Sequence, residues 1–314
     1  MIIVGAGNMG LEYAKVLTAQ KIKFGIICRD HNKENYIRTT YGYEISSGGL
    51  SNYILANSVN IPSSAIVCVP VDQLFDVTKE LLVWGVKNVL IEKPGSLYKH
   101  ELEQLARLAH DTGSDVRIGY NRRFYASVLE LKKILKQEKL VAVNFEISEW
   151  EHVVAIDPSS DITKQRWFLA NTSHVVDLVF HLAGLPESIN CYSSGCLDWH
   201  NSASRFTGAG RFSGNVLFSY SGYWDCPGRW SVEFLTNSKK YIFRPLEKLQ
   251  IQEKASVAIS EVLGIDYSLD IDFKPGLYMQ TKSFVSRQFE ELCSLSEQIE
   301  CFSYYERIAN YSNK

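Results

Sequence analysis

The most constraining stretch of this 314-residue chain is its first ten residues, Met-Ile-Ile-Val-Gly-Ala-Gly-Asn-Met-Gly. A short apolar run, Ile2–Val4, meets a turn carrying Gly5, Gly7 and Gly10, and a helix-forming stretch over residues 9–19 follows at once. Gly5 permits the tight turn, Gly7 lets the backbone approach a pyrophosphate, and Gly10 allows close packing of helix on strand. The freed amides and the helix N-terminus then attract phosphate. In this strand–turn–helix context the pattern predicts a dinucleotide site contacted by Gly5, Gly7, Asn8, Met9 and Gly10. A purely structural turn, or a nucleotide site such as that of a methyltransferase, is the alternative.

The same grammar continues through the first third of the chain. Apolar runs at residues 24–28, 65–69, 88–91 and 116–118 alternate with helical stretches at 72–82 and 98–110. Continuous apolar strands separated by helices predict a parallel sheet covered on both faces, hence an α/β, doubly wound Rossmann domain over residues 1–119. From residue 141 the period changes to two: Val141, Val143, Phe145 and Ile147 point one way, and Ala142, Asn144, Glu146 and Ser148 the other. A helix at 173–182 and strand-like runs at 215–220, 230–235, 241–243 and 248–252 follow. Residues 120–314 are therefore expected to form an α+β domain with an open, mainly antiparallel sheet and helices on one face.

Composition narrows the function classes. Lys plus Arg number 33 against 35 for Asp plus Glu, a formal charge of −2 that lacks the basic footprint of a nucleic-acid binder. No apolar run approaches the roughly 20 residues of a membrane span. Entry into the glycine turn at Gly5 leaves no room for the apolar core of a signal peptide. The seven cysteines, at 28, 68, 191, 196, 226, 293 and 301, are scattered and odd in number, with no C-x-x-C pair. They read as reduced thiols of a cytoplasmic protein, with no metal site expected.

Ligands of open α/β sheets bind beyond the carboxyl ends of the strands. Val69 and Pro70 after one apolar run, and Glu92 and Lys93 after another, lie on that edge and join the expected cofactor contacts. The residue ending the second strand reads the ribose: an acid favours NAD, and an arginine accommodates the 2′-phosphate of NADP. Cys28 takes the acid's place and Arg29 follows, so the reading leans to NADP(H) within an NAD(P)(H) assignment. A register slip of two would make Asp30 the acid and favour NAD, and Arg29 stacked on adenine is a further option.

Glu92-Lys93-Pro94 after its strand, together with Gly5-Ala6-Gly7-Asn8-Met9-Gly10, resembles the Gfo/Idh/MocA family of oxidoreductases. Gly119-Tyr120-Asn121-Arg122-Arg123-Phe124 is similar to that family's crossing into its second domain, and Ser173-His174-Val175-Val176-Asp177-Leu178 to its active-site helix. Trp224 to Thr236 and Lys274-Pro275-Gly276 are more loosely similar to members from bacterial surface-sugar pathways. The resemblance implies that Lys93 contacts the reacting hydroxyl or carbonyl and that His174 is the acid/base. It also implies a sugar, polyol or nucleotide-sugar substrate and a homodimer or homotetramer. Three positions depart from the family pattern: Ala170 where many members have Asp, Phe168-Leu169 where a glycine pair is common, and Leu74 where a histidine is common.

The residues support these roles independently. Moving a hydride leaves a hydroxyl proton to be handled, which a positioned acid/base does. Asn171, Thr172 and Ser173 read as helix caps, placing His174 in a first turn whose positive end disfavours imidazolium. Asp177, three residues on, is placed to orient the ring, and His181 shares that face. Arg122 or Arg123 is a candidate clamp for a substrate carboxylate or phosphate, with a domain-interface ion pair as the other reading. Trp167 and Arg166 are candidate pocket residues, and Asn171 a substrate hydrogen-bonding group. Tyr220, Tyr223, Trp224 and Trp230 read first as packing aromatics, with Asp225 and Arg229 as secondary candidates. The sequence thus points to an NAD(P)-dependent dehydrogenase acting on CH–OH groups. A non-catalytic dinucleotide-binding protein of the same fold, and a reductase of a C=N or tetrapyrrole substrate, stand as alternatives.

Overall fold

The computed structural model describes residues 1–311, and its internal packing separates two units. In the first, six strands run parallel: β1 (Ile2–Val4), β2 (Gly25–Ile27), β3 (Ile45–Ser46), β4 (Ser64–Val67), β5 (Asn88–Glu92) and β6 (Asp115–Gly119). Their order in the sheet is 3-2-1-4-5-6, so the chain reverses direction of travel between β1 and β4. A crevice opens at the carboxyl ends of strands at such a reversal. Val89, Leu90 and Ile91 of β5 are wholly buried, as strands covered on both faces must be.

Two features of this unit differ from the sequence expectation. The helix His31–Tyr41 and the strand β3 were not legible, because the helix buries only Ile37 and so shows no apolar stripe. Asp30 caps that helix by accepting a hydrogen bond from the Asn32 amide at 2.8 Å. Second, the chain from Leu277 to Ile299 packs with residues 1–120, whereas the sequence reading assigned everything after residue 119 to the second domain. Its short strand Cys293–Ser294 pairs antiparallel with β6. Leu277, Phe284, Leu292 and Cys293 are buried, and that apolar set holds the segment to this unit.

The second unit, Asn121–Gly276 with the chain from Glu300 onward, carries one eight-stranded sheet. Its strands are β7 (Leu140–Glu146), β8 (Pro186–Ser194), β9 (Arg205–Phe212), β10 (Val216–Tyr223), β11 (Ser231–Thr236), β12 (Lys239–Phe243), β13 (Gln250–Glu253) and β14 (Ile259–Glu261). The order is 14-13-12-11-7-10-9-8, antiparallel throughout except for the parallel β7–β10 pair. Val143, Phe145 and Ile147 face the core as the alternation predicts, while Val141, at the start of the strand, is 42% exposed. Helix Ser173–Ala183 covers the inner face of β7 and β11 with Val175, Val176, Leu178 and Val179 buried. Strands β8 and β9 escaped the sequence reading because β9 places Gly208 and Gly210 where hydrophobes are expected. These glycines pair with Tyr220 and Phe218, and a Cβ at Gly210 would lie 2.6 Å from the Phe218 ring. The rings fill the space that side chains would otherwise occupy.

Candidate functional site

The glycine turn opens onto a cavity of about 940 Å³ at the β1–β4 reversal. Gly5 has φ +115°, a left-handed conformation that favours glycine, and a Cβ there would lie 2.5 Å from the Cys68 carbonyl. A Cβ on Gly10 would run into the Gly5 carbonyl, so this residue sets how closely helix Asn8–Ala19 approaches the strand. Gly7 has no atom within 4 Å of where its Cβ would stand. The same helix has no side-chain cap and no acid in its first turn, leaving its N-terminal amides to the cavity. Open backbone at Gly7 and an uncapped helix end fit a pyrophosphate.

Gly5, Gly7, Asn8 and Met9 line this cavity, as do Cys28, Arg29, Val69 and Pro70. Gly10, Glu92 and Lys93, also expected as cofactor contacts, are not among its lining residues. Cys28 is buried, its thiol donates to the Asp30 carbonyl at 3.3 Å, and burial pushes its pKa up, so the position of the ribose-reading acid is held by a neutral group. The Asp30 carboxylate is engaged as a helix cap. Lys33, one turn into the helix that Asp30 caps, also lines the cavity and adds a second cation to Arg29. Its sequence position gives no cofactor signal, because it lies past the strand end and inside the following helix.

Lys93 directly follows β5 and is half-buried. The turn that carries it is fastened on both sides. Tyr13 donates its hydroxyl to Glu92 at 2.7 Å, the Gly95 amide bonds the Glu92 carbonyl at 3.0 Å, and Gln298 donates to the Pro94 carbonyl at 2.9 Å. Glu92 is thus a structural acceptor at the strand end.

In the second unit the histidine helix begins differently from its sequence reading. Residues Phe168–Thr172 form a π-helical turn that runs directly into Ser173–Ala183, and none of the three polar residues caps it. Ser173 bonds back to the Leu169 carbonyl at 2.7 Å. Thr172 and Asn171 instead donate to Glu149, at 2.6 Å and at 3.0 and 3.2 Å. His174 is therefore preceded by continuous helical backbone and does not sit at an exposed helix N-terminus.

Glu149 was not singled out from sequence, although it continues the inward phase of Val143, Phe145 and Ile147. It is buried, and Arg229 pairs with it at 3.2 Å. Burial raises its pKa, opposed by hydrogen bonds from Thr172 and Asn171 and by the Arg229 charge. Asp177 is wholly buried and receives a bidentate Arg123 at 2.9 and 2.5 Å. Asp177 thus stands in a buried ion pair with Arg123 that engages both of its oxygens. Arg123 and Asp177 both belong to the second unit. His174 is buried, with its ring 6.3 Å from that of Trp230.

The other candidates disperse. Trp167 packs edge-on against Trp199 at 6.4 Å, and Trp199 stacks on Trp224 at 5.8 Å. Arg166 lies over Tyr311 and pairs with Glu306 at 3.5 Å. Trp224 and Tyr220 are buried, Tyr223 is exposed, and Asp225 pairs with Arg205 at 2.9 Å. Among the described residues no helix is long and apolar enough to cross a membrane, and no cluster of metal-ligating side chains occurs.

The model of the oxidoreductase family GFO_IDH_MocA, NAD-binding Rossmann fold, matches residues 1–120. An uncharacterized oxidoreductase of Escherichia coli K12, YhhX, is 30% identical over 127 residues, 40% of this chain and 36% of that protein. The alignment thus spans about a third of that relative's length. The dehydrogenase MviM of Clostridium difficile superposes with a TM-score of 0.78 at 18% identity, covering 99% of this chain and 98% of that one. The WlbA dehydrogenase of Chromobacterium violaceum, solved with NADH and UDP-GlcNAcA, gives 0.74 at 15% identity over 100% of this chain and 94% of that one. At these identities the two structures establish a shared fold.

Proposed function

We propose that this chain is an NAD(P)-dependent dehydrogenase or reductase of the Gfo/Idh/MocA type, a reading supported by the match of that family's NAD-binding model to residues 1–120. It moves a hydride between nicotinamide and a carbinol or carbonyl carbon of a sugar, polyol or nucleotide-sugar. The observation that carries this reading is the cavity at the glycine turn, with open backbone at Gly7 and an uncapped helix end. The ligands of the WlbA dehydrogenase support the substrate class. When bound, the cofactor supplies the hydride acceptor in oxidation and the donor in reduction. Lys93 contacts the reacting oxygen and His174 holds the hydroxyl proton, taking it up as the C–H bond breaks and returning it in reduction. A positioned group of this kind contributes roughly 10²–10⁴-fold in rate.

Arg29 and Lys33 at the cavity edge, a neutral Cys28 and an engaged Asp30 favour the 2′-phosphate of NADP. Calorimetric titration of NADH and NADPH into wild type and Arg29→Ala tests this: NADPH binds more tightly to wild type and loses its advantage in the variant. Equal losses for both cofactors would assign Arg29 to adenine stacking. Turnover on a polyol and nucleotide-sugar panel disappears in Lys93→Ala and His174→Ala with cofactor binding intact. Tight cofactor binding without turnover on any panel member would favour a non-catalytic binding protein, the reading that Ala170 motivates.

We further propose that the chain self-associates through the outer face of the eight-stranded sheet, where Leu217 and Tyr192 are exposed. Light scattering of the purified protein reads the resulting dimer or tetramer directly.

A further inference from the structure

We propose that Arg122, Arg229 and Trp230 form an anion-recognition site beside His174, so that the substrate of the reaction proposed above carries a carboxylate or phosphate group. The inference rests on that reading for its substrate but on separate residues for its geometry. Two guanidinium groups share one indole: Arg122 lies 4.8 Å and Arg229 4.5 Å from the Trp230 ring centroid. An aromatic face holds cations in place and leaves their planar donor edges to other acceptors. The same indole is the neighbour of the His174 ring.

The two arginines differ in how their charge is met. Arg229 is accounted for by Glu149 at 3.2 Å and by the Trp150 ring at 4.9 Å. Arg122 has no ion pair among the described residues, and its buried Nε has no hydrogen-bond acceptor. Trp230 is only 5% exposed, and its Nε1 is a second buried donor without an acceptor. Buried donors are normally satisfied, and leaving one dry is costly. Two such donors, one of them on an uncompensated guanidinium, call for a ligand that brings acceptor oxygens and negative charge together. A carboxylate or phosphate does both, whereas a neutral hydroxyl supplies an acceptor and leaves the charge unmet. The adjacent Arg123 shows what a compensated arginine looks like in this unit, closed bidentately on Asp177.

The test titrates the NADH-loaded protein with D-glucuronate, D-glucose 6-phosphate and UDP-glucose, with D-glucose and myo-inositol as neutral probes. At least one charged probe binds tenfold or more tightly than D-glucose, with an advantage that shrinks as salt rises. Arg122→Gln abolishes that preference and leaves D-glucose binding and NADH affinity unchanged, Arg122→Lys restores part of it, and Trp230→Phe keeps the ring but weakens the charged probe. Which charged probe leads distinguishes carboxylate, phosphate monoester and diphosphate. A charged probe no tighter than D-glucose, or a preference that survives Arg122→Gln, overturns the proposal. Because the readout is binding, charged sugars held through Arg122 without hydride transfer would remove the dehydrogenase reading and keep the anion site. Turnover of neutral polyols, indifferent to Arg122→Gln, would do the reverse.

Discussion

Glu149 shows how much a single buried carboxylate can organise. It gathers the side chains of Asn171, Thr172 and Arg229, and so ties the π-helical turn before His174 to the end of β7. Asn171 and Thr172 are two of the three residues that read as helix caps in the sequence. The misreading has a physical origin: such residues cap a helix only when their side chains are not committed elsewhere, and here Asn171 and Thr172 donate to an acid 22 and 23 residues away while Ser173 bonds back to Leu169. Burial raises the Glu149 pKa above the ordinary value of 4.5, so between the unfolded and folded values the native state binds the extra proton. The contribution to stability is then full below the unfolded value and is lost as pH rises through the folded one. The difference in unfolding free energy between wild type and Glu149→Gln should decline as pH rises above the ordinary carboxylate value of 4.5. Urea midpoints across that range measure it. A pH-independent difference would mean that the three donors offset the burial completely.

At the scale of elements, the glycine turn was legible because each glycine has a separate steric reason that sequence spacing preserves. Those reasons separate the effects of substitution. Gly10→Ala drives a methyl into the Gly5 carbonyl and should destabilise the apo protein by about 1–3 kcal/mol through overpacking. Gly7→Ala meets open space, so the apo melting temperature should hardly move while NADH affinity falls, because the added methyl stands where the pyrophosphate approaches. Calorimetry of both variants with and without NADH reads the two effects, and a Gly7→Ala protein that binds NADH normally would dissociate this turn from the cofactor. The parallel strands were legible for a similar reason: burial on both faces leaves an uninterrupted apolar run. Strand β9 was not, because rings from β10 reach over its Gly208 and Gly210, a cross-strand arrangement with no local signal. The helix His31–Tyr41 was missed because one buried residue gives no period to detect.

On the scale of the whole chain, the two units were visible as a change of period, but not the return of residues 277–299 to the first. That return depends on contacts over more than 250 residues, which no local pattern encodes. Tyr13 donates to Gln280 at 3.1 Å, and Gln20 donates to the Tyr278 carbonyl at 2.9 Å. The strand Cys293–Ser294 covers the edge of β6 that would otherwise present unpaired backbone groups. The helix Leu277–Val285 lies against Asn8–Ala19, the helix whose N-terminus faces the cofactor cavity. A fragment of residues 1–120, although it spans the whole length matched by the family model, should therefore be incompletely closed. Expressed alone it should aggregate or show broad, non-cooperative melting and bind NADH at least tenfold more weakly than the full chain. Joining residues 277–299 to it through a flexible linker should restore a sharp transition and recover most of that affinity. If the bare fragment melts cooperatively and binds NADH as the full chain does, the returning segment is an appendage and β6 is an edge the unit tolerates. If only the joined form does, the nucleotide-binding unit is built from two distant stretches of the sequence, and its folding has to wait for residues made after Asn121–Gly276 of the second unit.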